Sequence, residues 1–73
     1  MLRFFITGVG GDVAQSIAKV IRESYGSAFI IGSDMGERHA GHLFVDVFKV
    51  LPAANSKNYI ASVASIVEEF QID

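Results

Sequence analysis

Two patterns of hydrophobic and polar positions follow one another along this chain: short apolar runs and longer segments of helical spacing. Residues 2–7, 28–34 and 47–50 form apolar runs that are too short for helices and rich in β-branched or aromatic residues, as is typical of buried strands. Residues 13–24 and 57–70 carry apolar residues at the three- and four-residue spacing of an amphipathic helix. The sequence therefore predicts an α/β fold with the order β-α-β-loop-β-α.

This order predicts a short parallel sheet with strand order 3-2-1 and two helices, because right-handed crossovers place each new strand outside the preceding one. The first strand then lies at an edge, although it is as apolar as a strand flanked on both sides. A fourth strand is missing beside it, and residues 71–73 resemble the lead-in to another strand. We therefore expect residues 1–73 to be a single domain that is a truncated piece of a larger enzyme. Its exposed first strand should pair with another chain, for example in a homodimer.

The turn between the first strand and the first helix carries the main candidate chemistry. The first amides of a helix have no partner within it, the helix dipole is positive there, and glycines let an anion approach the backbone. The alternative is a tight turn that needs glycine only for its backbone angles. We predict that a carboxylate or phosphate group of a substrate binds to the residues of this turn, namely Thr7, Gly8, Val9, Gly10, Gly11 and Asp12.

Asp34 is a further candidate, because it ends the second apolar run about twenty residues beyond the glycine turn. In dinucleotide-binding folds an acid at this place accepts a hydrogen bond from a ribose hydroxyl. The alternative is an aspartate that caps a loop. The loop that follows contains His39 and His42, which we expect to be solvated, because two histidines without a third ligand do not predict a metal site. The charged residues of the first helix, such as Arg22, are expected to form a solvated face.

Composition and charge exclude several classes of protein. The chain has 73 residues, 51% of them hydrophobic, a net charge of −2 and no cysteine, so it has no disulfide framework. The acidic balance and the lack of a basic run argue against nucleic-acid binding. No apolar run approaches the roughly 20 residues of a membrane span, and no signal peptide is recognisable. We therefore expect a cytoplasmic protein that binds neither nucleic acid nor membrane.

The spacing of Thr7, Gly8, Gly11 and Ala14 resembles the TGxxGxxG turn of extended short-chain dehydrogenases and NAD(P)-binding epimerases, with Ala14 in place of the third glycine. This resemblance implies an NAD(P)-binding half-domain in which Asp34 contacts the ribose. A tyrosine–lysine catalytic pair downstream, which such enzymes need, is not found in these residues.

A second resemblance covers nearly the whole chain. The segments ITGVGGDVAQSIAKVIRES, FIIGSD and VDVFKVLPAANSKNYIASVASIVEEFQID are similar to the N-terminal, pre-ATP-grasp domain of ATP-grasp ligases, closest to the carbamoyl-phosphate-synthase-like group. The shared features are a GAGG-like turn, a Gln-Ser-Ile helix, a Gly-x-Asp strand end, an Asp before a short strand that ends in Pro, and a Tyr-Ile helix. The matching positions are Gly8, Gly10, Gly11, Gln15, Ser16, Ile17, Gly32, Asp34, Asp46, Pro52, Tyr59, Ile60 and Asp73.

The second resemblance implies a Rossmann-like, three-layer fragment that forms the substrate side of an ATP-dependent ligase. ATP and Mg²⁺ would bind in two downstream lobes of the parent chain, which are this domain's expected partners, and no cofactor is expected in these residues. A small anionic substrate would bind at the glycine turn. Neither catalytic nor metal-binding residues can be assigned, so the fragment alone should be inactive. A non-enzymatic interaction module is a third hypothesis.

Overall fold

A computed structural model describes residues 1–73, and it confirms an α/β domain with a three-stranded parallel sheet and two helices. One short 3₁₀ helix interrupts the loop between the second and third strands. The elements in chain order are β1 (Arg3–Ile6), α1 (Asp12–Ser24), β2 (Phe29–Asp34), the 3₁₀ helix (Ala40–Phe44), β3 (Val47–Val50) and α2 (Tyr59–Phe70).

The sheet has the order β1-β2-β3, with both neighbouring pairs parallel. Arg3 lies opposite Phe29 at the start of β1, and Asp34 lies opposite Val50 at the end of β3. The predicted strand order is therefore found, with β1 at an edge. All three strands end at the same edge of the sheet, and this carboxyl edge is where ligands bind in such folds.

Each face of the sheet has its own core, because successive side chains of a strand point to opposite faces. Ile30 of β2 packs with Ile6 and Ala18 on the side of α1. The next residue, Ile31, packs with Leu51 and Ile66 on the side of α2. This alternation also fixes the direction of the polar residues at the end of β2.

The apolar residues of α1 do not form the single buried face that their spacing predicted. Only Ala18 is buried, whereas Val13, Ile17 and Val20 have exposed fractions of 76%, 48% and 60%. The small side chain of Ala18 brings the helix close to the sheet, and the larger residues beside it remain outside. An apolar row of α1 is therefore left open to solvent.

The second helix begins two residues later than the predicted start at residue 57. The amide of Tyr59 donates to the carbonyl of Ser56 (3.1 Å), and the amide of Asn58 donates to the Ser56 hydroxyl (3.2 Å). These bonds hold the preceding residues in a turn, which delays the helix. The start of α2 consequently lies beside the carboxyl edge of the sheet.

The last residues return to the free edge of β1. Gln71 adopts a left-handed conformation (φ 52°) after α2, and the amide of Asp73 then donates to the carbonyl of Arg3 (3.1 Å). The amide of Arg3 in turn donates to the Asp73 carboxylate (2.7 Å).

Neither helix has the length and apolar character needed to cross a membrane.

Candidate functional site

The glycine turn is fixed to the end of β2 by a buried valine. Gly8 has a φ of +68°, a conformation that residues with a Cβ rarely adopt, and its carbonyl accepts from the amide of Gly11 (3.0 Å). Val9 is completely buried, and its amide donates to the carbonyl of Ser33 (2.9 Å). Val9 is therefore a structural anchor, while Thr7 and Gly8 remain exposed at the carboxyl edge.

Two of the predicted site residues bind each other. The amide of Gly10 donates to one carboxylate oxygen of Asp34 (2.7 Å), and the amide of Met35 donates to the other (2.7 Å). A Cβ on Gly10 would lie 2.6 Å from the Asp34 oxygen and 3.0 Å from the ring of His39. Glycine is required here by the close approach of these two side chains. The turn does bind a carboxylate, and that carboxylate belongs to this chain.

The first three amide groups of α1 have no partner in the chain. Gly11 is the N-cap of α1 and provides no side-chain hydrogen bond. The first helical bond runs from the amide of Gln15 to the carbonyl of Gly11 (3.2 Å). The amides of Asp12, Val13 and Ala14 therefore lack acceptors, as expected for the start of a helix. The exposed Asp12 carboxylate lies in this first turn and offsets part of the positive helix dipole.

The ends of the three strands and the start of α2 surround a cleft of about 230 Å³. Its floor carries an unusual group: Ser33 is completely buried, and its hydroxyl has no hydrogen-bond partner. Ser33 follows Ile31 by two residues, so its side chain points to the α2 face, where the cleft lies. No lysine, arginine or histidine lines this cleft. Among the lining residues are Thr7, Gly8, Ser33, Asp34, Leu51 and Tyr59.

Sequence reasoning did not select Ser33 or Tyr59 as members of the site. A usable signal was present for Ser33, because it is a polar residue at an inward-facing position of an otherwise apolar strand. For Tyr59 the sequence offered a place in the apolar stripe of α2 and a match to the Tyr-Ile helix of the resembled family, but no role at the site. Its position at the cleft follows from the turn at Ser56, which sets the start of the helix.

His39 is not a solvated loop residue as expected, because it forms part of the packing above the turn. Its Nδ1 accepts from the amide of Gly41 (3.1 Å), and its Nε2 lies 2.9 Å from the carbonyl oxygen of Gly36. The ring stacks on His42, with centroids 5.0 Å apart, and meets the ring of Phe48 at 5.1 Å. These contacts place both histidines in an aromatic cluster, and no group of three potential metal ligands forms.

The amino end of the sheet holds a second aspartate, and here Arg22 is not on a purely solvated face. Arg22 Nη1 lies 3.1 Å from an Asp46 oxygen and donates to the carbonyl of Ala28 (2.9 Å). The same Asp46 oxygen accepts from the amide of Ile30 (2.8 Å). Asp46 therefore joins α1, β2 and β3 at the edge opposite the cleft.

Comparison with known proteins identifies no relative of this chain. No protein-family model matches it, and neither the curated proteins nor the solved structures contain a significant match. The geometry of the carboxyl edge and the sequence resemblance are therefore the two indications of function.

Proposed function

We propose that this chain is the substrate-side domain of an ATP-dependent ligase of the ATP-grasp type, and that its carboxyl edge binds an anionic group of the acceptor substrate. The observation that carries the proposal is the buried, unpartnered hydroxyl of Ser33 beneath a cleft that it shares with Thr7 and Gly8. The sequence resemblance supplies the enzyme class.

An unpartnered hydroxyl in a protein interior is a cost, since it has lost its water without gaining another partner. Such a group destabilises the fold by about 1–3 kcal/mol. Alanine at position 33 would avoid this cost with almost no change in shape. A polar group that weakens the fold at the ligand-binding edge of a parallel sheet is best explained by a ligand that completes its hydrogen bonding.

The groups around the cleft favour a singly charged carboxylate over a phosphate. The hydroxyls of Thr7 and Ser33 can donate, but no cationic side chain lines the cleft and Asp34 lies beside it. Phosphate carries more charge and is usually bound with the help of lysine or arginine. A carboxylate agrees with the small anionic substrate that the resemblance implies.

The cleft has neither a cluster of metal ligands nor a cationic side chain. We therefore assign no step involving ATP or Mg²⁺ to these residues. In this proposal both bind in the downstream lobes of the parent chain, and the present domain only positions the acceptor.

The contacts of Asp34 weigh against the alternative of an NAD(P)-binding half-domain. Ribose recognition needs a carboxylate with acceptor sites to spare, whereas each Asp34 oxygen already accepts one backbone amide and keeps only one further acceptor site. The Gly10 amide, which would face the pyrophosphate, is used in the same contact. This arrangement favours the ligase hypothesis over the dehydrogenase hypothesis.

The proposal can be tested by NMR titration of the ¹⁵N-labelled chain with L-glutamate, inorganic phosphate, NAD and ATP. We expect L-glutamate, as a carboxylate probe, to shift the amide resonances of Thr7, Gly8 and Ser33. Ser33→Ala should weaken this binding roughly tenfold, the value of one hydrogen bond to a charged group. Ser65→Ala is the matched control, because Ser65 is exposed on α2 away from the cleft.

Three results would contradict the proposal. Micromolar affinity for NAD would favour the dehydrogenase hypothesis. L-Glutamate binding that is equally strong in Ser33→Ala would mean that L-glutamate does not bind in the cleft above Ser33. A response to phosphate that exceeds the response to L-glutamate would contradict the assigned substrate class.

A further inference from the structure

A second hydroxyl lies beside the unpartnered hydroxyl of Ser33, on one side of the cleft. Ile6 of β1 lies opposite Gly32 of β2, so the residues that follow them, Thr7 and Ser33, are neighbours where the two strands end. Phe5 packs into the core on the α2 side, so Thr7, two residues later, points to the same face as Ser33. Both residues line the cleft. Their hydroxyls can therefore donate to the two oxygens of one carboxylate.

The other side of the cleft is apolar. It is formed by Leu51 and Pro52 directly after β3, by Ala54 in the following loop and by Tyr59 at the start of α2. Leu51 is buried in the core on the α2 side, and Tyr59 packs against that core while remaining only half-buried. A ligand whose carboxylate binds the two hydroxyls therefore has the rest of its structure beside apolar side chains.

The cleft provides no partner for a second charge on the ligand. No cation lines it, so a second carboxylate would remain unpaired. Asp34 borders the cleft, but it follows Ser33 in β2, and its carboxylate is therefore turned to the α1 face. There it accepts from the amides of Gly10 and Met35, both at 2.7 Å. An ammonium group on the ligand would lose its water without gaining an ion pair.

The volume of the cleft limits the size of the ligand. Its 230 Å³ lies below the range of about 300–1,000 Å³ that is usual for drug-sized ligands. At the roughly 30 Å³ that a water molecule takes in the liquid, the cleft holds about eight non-hydrogen atoms. A carboxylate group accounts for three of these atoms, which leaves about five for the apolar part of the ligand.

We propose that the cleft binds a small monocarboxylic acid with an uncharged, apolar body, and that Tyr59 determines this preference. Tyr59 has the largest side chain on the apolar side and is open enough to contact the ligand. The inference rests on the proposed function, because it keeps the substrate carboxylate at Ser33. It adds that amino acids and dicarboxylic acids are bound more weakly than aliphatic acids of similar size.

The experiment titrates the ¹⁵N-labelled chain with acetate, 4-methylvalerate and L-leucine and follows the amide resonances by NMR. Acetate lacks the apolar body, and L-leucine is 4-methylvalerate with an added ammonium group. We expect 4-methylvalerate to bind roughly tenfold more tightly than acetate, because its apolar body is partly buried. It should bind roughly tenfold more tightly than L-leucine, whose ammonium group has no partner. Intermolecular NOEs should connect its methyl groups with the ring of Tyr59.

Tyr59→Ser tests the role of the aromatic side chain. We expect this variant to lose most of the preference for 4-methylvalerate over acetate while its affinity for acetate stays unchanged. Tyr25→Ser is the matched control, because Tyr25 is half-exposed beside Phe4 and does not line the cleft. The comparison with L-leucine and the NOEs use the unaltered chain, so they test the inference even where Tyr59→Ser does not fold.

The outcomes separate this inference from the proposed function. Equal affinities for 4-methylvalerate and L-leucine, both lowered in Ser33→Ala, would overturn the inference and leave the proposed function standing. NOEs from the ligand methyl groups to Val13 or Ile17 would also overturn it, because these residues belong to the exposed row of α1. If no carboxylate loses affinity in Ser33→Ala, the proposed function fails and the inference fails with it.

Discussion

At each end of the sheet an aspartate accepts a hydrogen bond from a backbone amide, but the two ends differ in whether the neighbouring polar groups are also paired. At the amino end Asp46 accepts the amide of Ile30, and at the carboxyl end Asp34 accepts the amide of Gly10. Asp46 also has a cation, Arg22, at 3.1 Å. At the carboxyl end no cation lies beside the cleft, and the Ser33 hydroxyl is left without a partner. The amino end is therefore complete as structure, whereas the carboxyl end has polar groups that a ligand can satisfy.

The largest expected effect comes from breaking the Asp34 contact at the carboxyl end. In Gly10→Ala the new Cβ would lie 2.6 Å from the Asp34 carboxylate, so the carboxylate or the turn must move. We expect the free energy of unfolding to fall by about 2–3 kcal/mol, the upper part of the usual range for overpacking a tight site. Urea denaturation followed by circular dichroism measures this change.

Gly36→Ala is the matched control, because a Cβ there meets nothing within 4 Å. It should leave stability unchanged or raise it slightly, since alanine restricts the unfolded chain. Equal stabilities of the two variants would mean that the turn does not hold Asp34 as described.

Removal of Asp46 from the amino end of the sheet should destabilise the protein. Asp46→Ala leaves the amide of Ile30 without its acceptor and Arg22 without its ion pair. We expect a loss of about 2 kcal/mol in the free energy of unfolding. The Arg22 share of this loss should shrink in high salt, because the pair is partly exposed. Urea denaturation at two salt concentrations tests both points, and a loss that is absent at low salt would contradict the structural role of Asp46.

At the carboxyl end of the sheet, we expect a substitution that raises the free energy of unfolding, by a smaller amount. Ser33→Ala removes the unpartnered hydroxyl, so we expect the free energy of unfolding to rise by about 1 kcal/mol. Differential scanning calorimetry without added ligand measures the gain, with Ser65→Ala as the exposed control. A loss of stability in Ser33→Ala would mean that the hydroxyl already has a partner, and the contrast between the two ends would disappear.

The sequence predicted the strands, the helices and the strand order, because period and length separate short apolar runs from amphipathic segments. It did not predict that Asp34 would occupy the Gly10 amide, since that contact joins residues 24 positions apart through a turn whose geometry depends on Gly8. The exposed row of α1 was missed for a related reason. Spacing shows which residues share a face of the helix, but how closely α1 packs on the sheet depends on Ala18.

The smallest expected effect concerns the loop above the glycine turn. His39→Phe keeps an aromatic ring beside Phe48 but cannot accept the Gly41 amide, which caps the 3₁₀ helix. We expect a loss of about 0.5–1 kcal/mol in the free energy of unfolding, the value of one cap. His42→Phe is the control, because its ring nitrogen contacts only the exposed Glu37 carbonyl.

The NMR spectrum of His39→Phe sharpens the contrast between the two ends. The His39 ring lies against Gly10, so the Gly10 amide resonance should shift while that of Ile30, beside Asp46, stays unchanged. Distant sites without shared partners respond independently. A shift at both amides would mean that the two ends are coupled through β2, and the unsatisfied Ser33 hydroxyl could then reflect strain from the amino end rather than a place for a ligand.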